Sequence, residues 1–221
     1  MKILFRGLIV LLPWIIRRHV LRWFYGYELD PTSHIGFSWI YPASLKMGAH
    51  AKIGHFNIAI HLDRIEMGPS ATIDRCNWIT GFPRKDLRHF GHVTHREPWL
   101  IVGEHASITK HHHFDCTAKI VVGAFTTIAG YRSQFLTHSI DIVGNQQDCG
   151  PIQIGEYCFV GTSVVALAGC SLPPRSVAGA CALLNKAYVA PGWLYAGVPA
   201  RPVCRLPAQS AYFNRSRGFV D

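Results

Sequence analysis

The stretch IGEYCF-VGTSVV-ALAGCS-LPPRSV-AGACAL-LNK, residues 154–186, repeats every six residues. Ile154, Val160, Ala166, Leu172, Ala178 and Leu184 open the hexads. Glycine follows three of them, at Gly155, Gly161 and Gly179, and Cys158, Val164, Cys170, Ser176 and Ala182 stand four places on. An aliphatic residue, often a glycine, then a small residue, at a constant period, describes a parallel β-helix in which each hexad is one short strand and a turn. The aliphatic side chain points into the prism. The glycine is expected to relieve the corner, because it adopts φ > 0 without steric cost. Stacked coils then bury a continuous core that no single hexad could bury alone.

Upstream the same register recurs at Ile35-Gly36, Met47-Gly48 and Ile53-Gly54, with Tyr41-Pro42 filling the gap. It resumes at Met67-Gly68 and Ile73-Asp74, then at Val102-Gly103, Ile108, Phe114-Asp115, Val122-Gly123 and Ile128. Asn77 falls on the small inward position, where stacked amides hydrogen-bond along the column. Two segments break the ladder. Residues 81–98 are basic and rich in histidine, and residues 139–151 follow His138. Insertions in a solenoid emerge as loops on one face, often the binding face, so the first is expected to form a basic loop over an acceptor site.

Composition narrows the class. Apolar content of 49% with only 16% charged residues excludes a disordered chain, and twenty glycines and thirteen prolines suit a fold of many corners. The net charge of +9 comes from scattered basic residues with clusters at the two ends. No nucleic-acid module is recognisable, so phosphates of a nucleotide-like donor or an anionic lipid account for the charge better than a nucleic-acid partner. The seven cysteines form no Cys-x-x-Cys and at least two, Cys158 and Cys170, take inward positions; this reads as reduced, buried thiols in a reducing compartment.

Residues 1–30 differ from the rest. Gly7 to Ile16 is apolar except for Pro13, with Lys2, Arg6, Arg17, Arg18 and Arg22 around it and Trp14, Trp23, Phe24, Tyr25 and Tyr27 beside it. The run is shorter than the roughly 20 residues a spanning helix needs, and no small-residue cleavage site follows it. A helical segment lying at a membrane interface is expected; helices packed against the prism or a neighbouring subunit are the alternative. The solenoid is then expected over residues 31–206, and residues 207–221, with Arg215 and Arg217, form a surface-lying or loosely ordered tail.

The ladder, Leu136-Thr-His-Ser-Ile-Asp141 and Tyr195-Ala-Gly-Val-Pro-Ala-Arg201 together resemble the hexapeptide-repeat acyltransferases, the left-handed β-helix family that includes bacterial sugar and polysaccharide O-acetyltransferases. The resemblance runs from about Ile35 to Arg205 and implies the hand of the helix, which hexad spacing alone does not. It implies that His138 is a general base, a role imidazole can fill near neutral pH; Asp141 either orients it or is a loop residue. It implies acetyl-coenzyme A as co-substrate. Thr162 then lies near the thioester and Ala180 opens a donor-binding segment, although Cys181 and Ala182 depart from the family's Ala-Gly-Ser-Val-Val. Asn185, Lys186, Arg201 and Arg205 would meet the donor's phosphates and nucleotide. It also implies a homotrimer with sites between subunits.

The acceptor region departs from maltose- and galactoside-type relatives. Thr109-Lys-His-His-His-Phe-Asp115 has no Asn, and His111, His113 and Asp115 are either acceptor contacts or ordinary ladder residues. If this segment is a strand, His111 and His113 share one face and His112 points the other way, so the three do not hold one ion and no metal site is expected. The reading is an O-acetyltransferase for a sugar hydroxyl of a surface polysaccharide or lipid-linked glycan. It would act in the cytoplasm, at the inner face of the plasma membrane where the N-terminal segment touches lipid. A small soluble acceptor (sugar, antibiotic or serine), a γ-type carbonic anhydrase on the same prism, and a non-catalytic scaffold are the alternatives.

Overall fold

The computed structural model describes residues 2–218 and 220; Met1, Phe219 and Asp221 lie outside the described residues. Each turn of the chain lays one short strand on each of three faces, giving sheets of seven, nine and seven strands among the described residues. The first face begins with Glu28–Leu29, the second with His34–Ile35 and the third with Trp39–Ile40. Strands pair in parallel with the equivalent strand of the next coil, as Leu100, Ile101 and Val102 pair with Ile120, Val121 and Val122. The final strand, Arg201–Arg205, instead turns back antiparallel on Trp193–Ala196. The fold is a left-handed parallel β-helix.

The hexad ladder is the core. Ile154, Val160, Ala166, Leu172, Ala178 and Leu184 are buried, as are Cys158, Val164, Cys170, Ser176 and Ala182. Phe114 and Phe135, from successive coils, stack 4.6 Å apart and nearly parallel inside the prism. All seven cysteines are free; Cys116, Cys158 and Cys170 are buried.

The glycines act differently from the expectation. Gly48, Gly54, Gly68, Gly103, Gly123, Gly155 and Gly161 are not left-handed. The positive φ falls two residues later, on His50, Phe56, Ser70, His105, Phe125, Tyr157 and Ser163. What the glycine provides is space. A Cβ on Gly54 would lie 2.2 Å from the Asp74 carbonyl oxygen, and one on Gly123 would lie 2.5 Å from the Gly155 carbonyl carbon. Neighbouring strands sit roughly 4.8 Å apart, and at these corners the backbone of the next coil passes directly over the glycine. Gly54→Ala is therefore expected to cost about 2–3 kcal/mol and lower Tm by roughly 5–10 °C. Gly7→Ala, in a helix with open space around its Cβ position, is the control and should not destabilise. Thermal melts of both variants check this.

A polar column runs up one inner corner. The Asn57 side-chain oxygen accepts from Asn77 N–H and from the Asn77 amide, at 2.9 and 3.0 Å. Asn77 accepts in turn from His112 N–H at 2.9 Å, and His112 Nδ1 from Ser133 N–H at 3.2 Å. The backbone donors at this corner are thus met by side chains of the preceding coil.

The N-terminal segment forms two helices, α1 (Lys2–Leu11) and α2 (Trp14–Tyr25), separated at Pro13. They cap the open end of the prism. The first coil has no coil before it to supply donors for its outward carbonyls. Buried Arg17 supplies them, donating to Gly36 O at 2.8 Å and Ser38 O at 2.9 Å, and Trp14 Nε1 donates to Ser33 O at 3.0 Å. Ile9, Val10 and Leu21 are buried beneath. No helix among the described residues is long and apolar enough to cross a membrane.

Both insertions leave the corner that joins the third face to the first. One lies between strands Trp78–Thr80 and Trp99–Val102, the other between Gln134–Leu136 and Ile152–Ile154. They flank the single coil that ends its third-face strand at Asp115. That arrangement positions the site. The tail lies along another corner, with Tyr212 Oη donating to Cys158 O at 2.8 Å and Arg215 over the Tyr212 ring.

Candidate active site

His138 opens an antiparallel hairpin, His138–Asp141 with Gln146–Cys149, just after the chain leaves the third face. Asp115 ends the neighbouring third-face strand, in register with Leu136 and Thr80. The pairing brings the two residues together: Asp115 Oδ2 lies 2.5 Å from His138 Nδ1 and accepts from His138 N–H at 3.0 Å. The carboxylate is held from every side. Thr117 donates to Oδ1 from its hydroxyl at 2.7 Å and from its N–H at 3.2 Å, and Thr137 N–H donates to Oδ2 at 3.1 Å.

Asp115 is 3% exposed. Burial pushes its carboxyl up, but the bonds from His138 and Thr117 outweigh this and hold it below the ordinary carboxylate value. The bond to Asp115 raises His138 above 6.5, against a smaller opposing effect of burial. With Nδ1 engaged by the carboxylate, Nε2 is the nitrogen left to face the cavity.

That cavity has a volume of about 670 Å³ and is lined by Thr80, Phe82, Asp86, His113, Asp115 and His138 among others. Phe82 and Phe90, both from the first insertion, stand edge-on to the imidazole at 5.6 and 6.1 Å. Buried Arg96 gathers that insertion. Its guanidinium donates to the carbonyls of Phe82, Pro83 and Asp86 and, at 3.1 Å, to Thr117 O beside Asp115. It lies 4.6 Å over the Phe90 ring. The insertion is thus a wall of the site, tied to the coil that carries the carboxylate.

The structure separates the candidates the sequence grouped. Asp141 does not orient the imidazole. It lies three residues along the hairpin, and its carboxylate accepts from Val143 N–H at 3.0 Å. Asp115, read from sequence as an acceptor contact, takes that place. His113 lines the cavity with Asp115, and burial holds its pKa below the ordinary value. His111 does not line it. The strand begins only at His113, and His111 is a left-handed corner residue (φ 56°) at a different edge. His112 is buried in the polar column, and burial pushes its pKa down to about 4, so it is neutral. With Nδ1 accepting, its Nε2–H donates to Thr109 Oγ1 at 3.0 Å. Among the described residues no group of three or more His, Cys, Asp or Glu is arranged to hold a metal.

The donor candidates occupy several edges. Thr162 sits between the second and third faces, its hydroxyl donating to Tyr131 O at 2.9 Å, and Ala180 is exposed one coil on. Asn185 and Lys186 are exposed where the chain leaves the third face, on the His138 side. Arg201 and Arg205 are exposed at the two ends of the last strand. In the sequence, Phe82, Phe90 and Arg96 are marked only by lying in the first insertion and Thr137 only by adjoining His138; no period or motif marks Thr117, which its place beside Asp115 identifies.

No family model and no curated relative matches the chain. Solved structures do. AntD, an N-acyltransferase from Bacillus cereus solved with dTDP and 3-hydroxybutyryl-CoA, is 13% identical with a TM-score of 0.55, over 90% of this chain and 92% of that one. A hexapeptide-repeat-containing acetyltransferase from Vibrio cholerae, solved with acetyl-coenzyme A, is 31% identical with a TM-score of 0.45, over 49% of this chain and 61% of that one. A maltose O-acetyltransferase from Clostridium difficile is 22% identical with a TM-score of 0.46, over 49% and 59%. The chain thus spans about six tenths of the length of the last two. The likeness to the Bacillus N-acyltransferase, over nine tenths of both chains, is one of fold: this chain is a left-handed parallel β-helix similar in fold to that protein.

Proposed function

We propose that the protein is an O-acetyltransferase that moves the acetyl group of acetyl-coenzyme A to a sugar hydroxyl, in the making of a surface polysaccharide or lipid-linked glycan. The observation that carries this reading is the His138–Asp115 pair at the cavity, with Nδ1 held and Nε2 free. Nε2 takes the proton of the acceptor hydroxyl as its oxygen attacks the thioester carbonyl. Asp115 stabilises the imidazolium that forms. The tetrahedral oxyanion collapses, the carbon–sulfur bond breaks, and the imidazolium returns its proton to the departing sulfur. The exposed cations Lys186, Arg201 and Arg205 suit the phosphates of the donor. Their spread over several edges of one chain, with Thr162 and Ala180 on another, supports a donor groove between subunits of a homotrimer.

A trough of about 690 Å³ adjoins the cavity and shares His61 and Pro83 with it. Arg6, Arg84 and Lys85 line it with Tyr25 and Tyr41, and Asp63 is its one carboxylate. This supports an acceptor that carries phosphate. Isothermal titration with coenzyme A and acetyl-coenzyme A tests the donor half. Binding should weaken roughly tenfold in Lys186→Ala or Arg201→Ala. A folded wild-type protein that binds neither ligand refutes the acetyltransferase reading.

A further inference from the structure

The helical cap has two sides, and the prism uses only one. On α2, Trp14, Arg17 and Leu21 face the first coil. The opposite side presents Ile15 at 74% exposure and Trp23 at 86%. On α1, Ile9 and Val10 are buried, while Ile3, Leu8 and Leu11 are exposed. The inward contacts are already satisfied by Arg17 and Trp14, so the outer apolar face is not an unfinished part of the core.

Charge identifies what this face fits. From Met1 to Tyr27 the sequence has no acidic residue, the first being Glu28; Arg17 is turned inward to the first coil and Arg6 lies over the Tyr41 ring, while Arg22 is exposed and Arg18 half-buried on the cap. A face that is apolar at its centre and cationic at its edge complements a surface that is apolar beneath an anionic layer. Pairing with a second copy through the same face would set arginine against arginine, with no carboxylate to relieve it. Trp23, next to Phe24 at 5.5 Å, has the amphipathic ring that favours the headgroup level. We propose that α1 and α2 form a docking surface that seats the protein on an anionic lipid bilayer. The helices lie in the interface and do not cross it.

The position of the cap gives the docking a use. The trough of Arg6, Tyr25 and Tyr41 begins at these helices and adjoins the His138 cavity. An acceptor carried by a lipid would therefore reach the imidazole along it. The docking itself does not depend on the acetyltransferase reading.

The test is sedimentation of the full chain with phosphatidylcholine vesicles, with or without phosphatidylglycerol. The protein is expected to pellet with the anionic vesicles about tenfold more than with the neutral ones, and added salt should reduce this. The double variant Ile15→Ser/Trp23→Ser is expected to lose about tenfold or more of the binding. Arg22→Gln, which removes one cation, should lose about fivefold. Tm and coenzyme A binding should be unchanged in both, since these side chains touch neither the core nor the donor candidates. Folded wild-type protein that ignores anionic vesicles overturns the proposal, as does equal binding by the double variant. So does a larger assembly in vesicle-free solution that the double variant dissolves, because a second copy then covers the face. Coenzyme A titration of the same samples keeps a failure here distinct from a failure of the enzymatic reading.

Discussion

In an acetyl-transfer assay, His138→Ala is expected to lower kcat about 1000-fold while leaving the Kd for coenzyme A unchanged. Among the described residues the imidazole is the one group that meets three requirements at once. It borders the cavity, its Nδ1 is fixed by a carboxylate, and its Nε2 is left to accept a proton. Removing it takes away the base but none of the donor candidates, so the loss belongs in kcat. The side chain is half-buried at the edge of a hairpin and its ring contributes little to the prism core, so the variant should fold. Imidazole added to the assay should restore part of the rate, because the vacated space lies against the rings of Phe82 and Phe90 and opens on the cavity. A variant that keeps most of the wild-type rate would remove His138 from the mechanism.

Asp115→Asn should lower kcat by about 100-fold or more and also change the shape of the pH profile. In wild type the carboxylate raises the His138 pKa above 6.5. The base must be neutral to act, so kcat/KM rises with pH through that raised value and then levels off. In Asp115→Asn the imidazolium loses its partner. The acid limb should move to lower pH even as the plateau falls, since an amide neither fixes the tautomer nor stabilises the developing positive charge. A lower plateau with an unmoved acid limb would mean that Asp115 acts only by packing.

The same variant should be less stable. Oδ1 and Oδ2 together accept from Thr117, Thr137 and His138, and an amide nitrogen would face N–H donors in place of one oxygen. The cost is about 2–4 kcal/mol, or roughly 5–15 °C in Tm. Its pH dependence follows from the directions of the shifts. The raised His138 contributes stability fully below 6.5 and loses it as pH rises through its folded value. The lowered Asp115 contributes above 3.8 and loses it as pH falls through its folded value. The stability gap between wild type and variant should therefore be widest between those two numbers. Thermal melts across that range measure it.

Much of the architecture is local and so was legible in the residues. An inward aliphatic every sixth position is enough to lay out strands, corners and core, because each coil repeats the burial requirement of the last. Breaks in that period located both insertions, and the resemblance of residues 136–141 pointed to His138. The partner of His138 was not legible. Asp115 lies 23 residues earlier, and the nearer Asp141 looked the better choice. Which carboxylate reaches the ring depends on where one coil stacks on the next and where the hairpin leaves the corner.

Arg17 and Arg96 teach the same lesson. In the sequence they resemble surface cations; in the structure both are buried and donate to backbone carbonyls. The glycines are a third case, where the position was read correctly and the reason was not, since close approach by the next coil is invisible along a single strand. The repeating prism and the loops that interrupt it can be read along the chain, because burial period is a property of neighbouring residues. The His138–Asp115 pair, its walls and the capped end come from folding. Those contacts join residues that stacking brings together, and stacking geometry is set by the whole coil rather than by any one hexad.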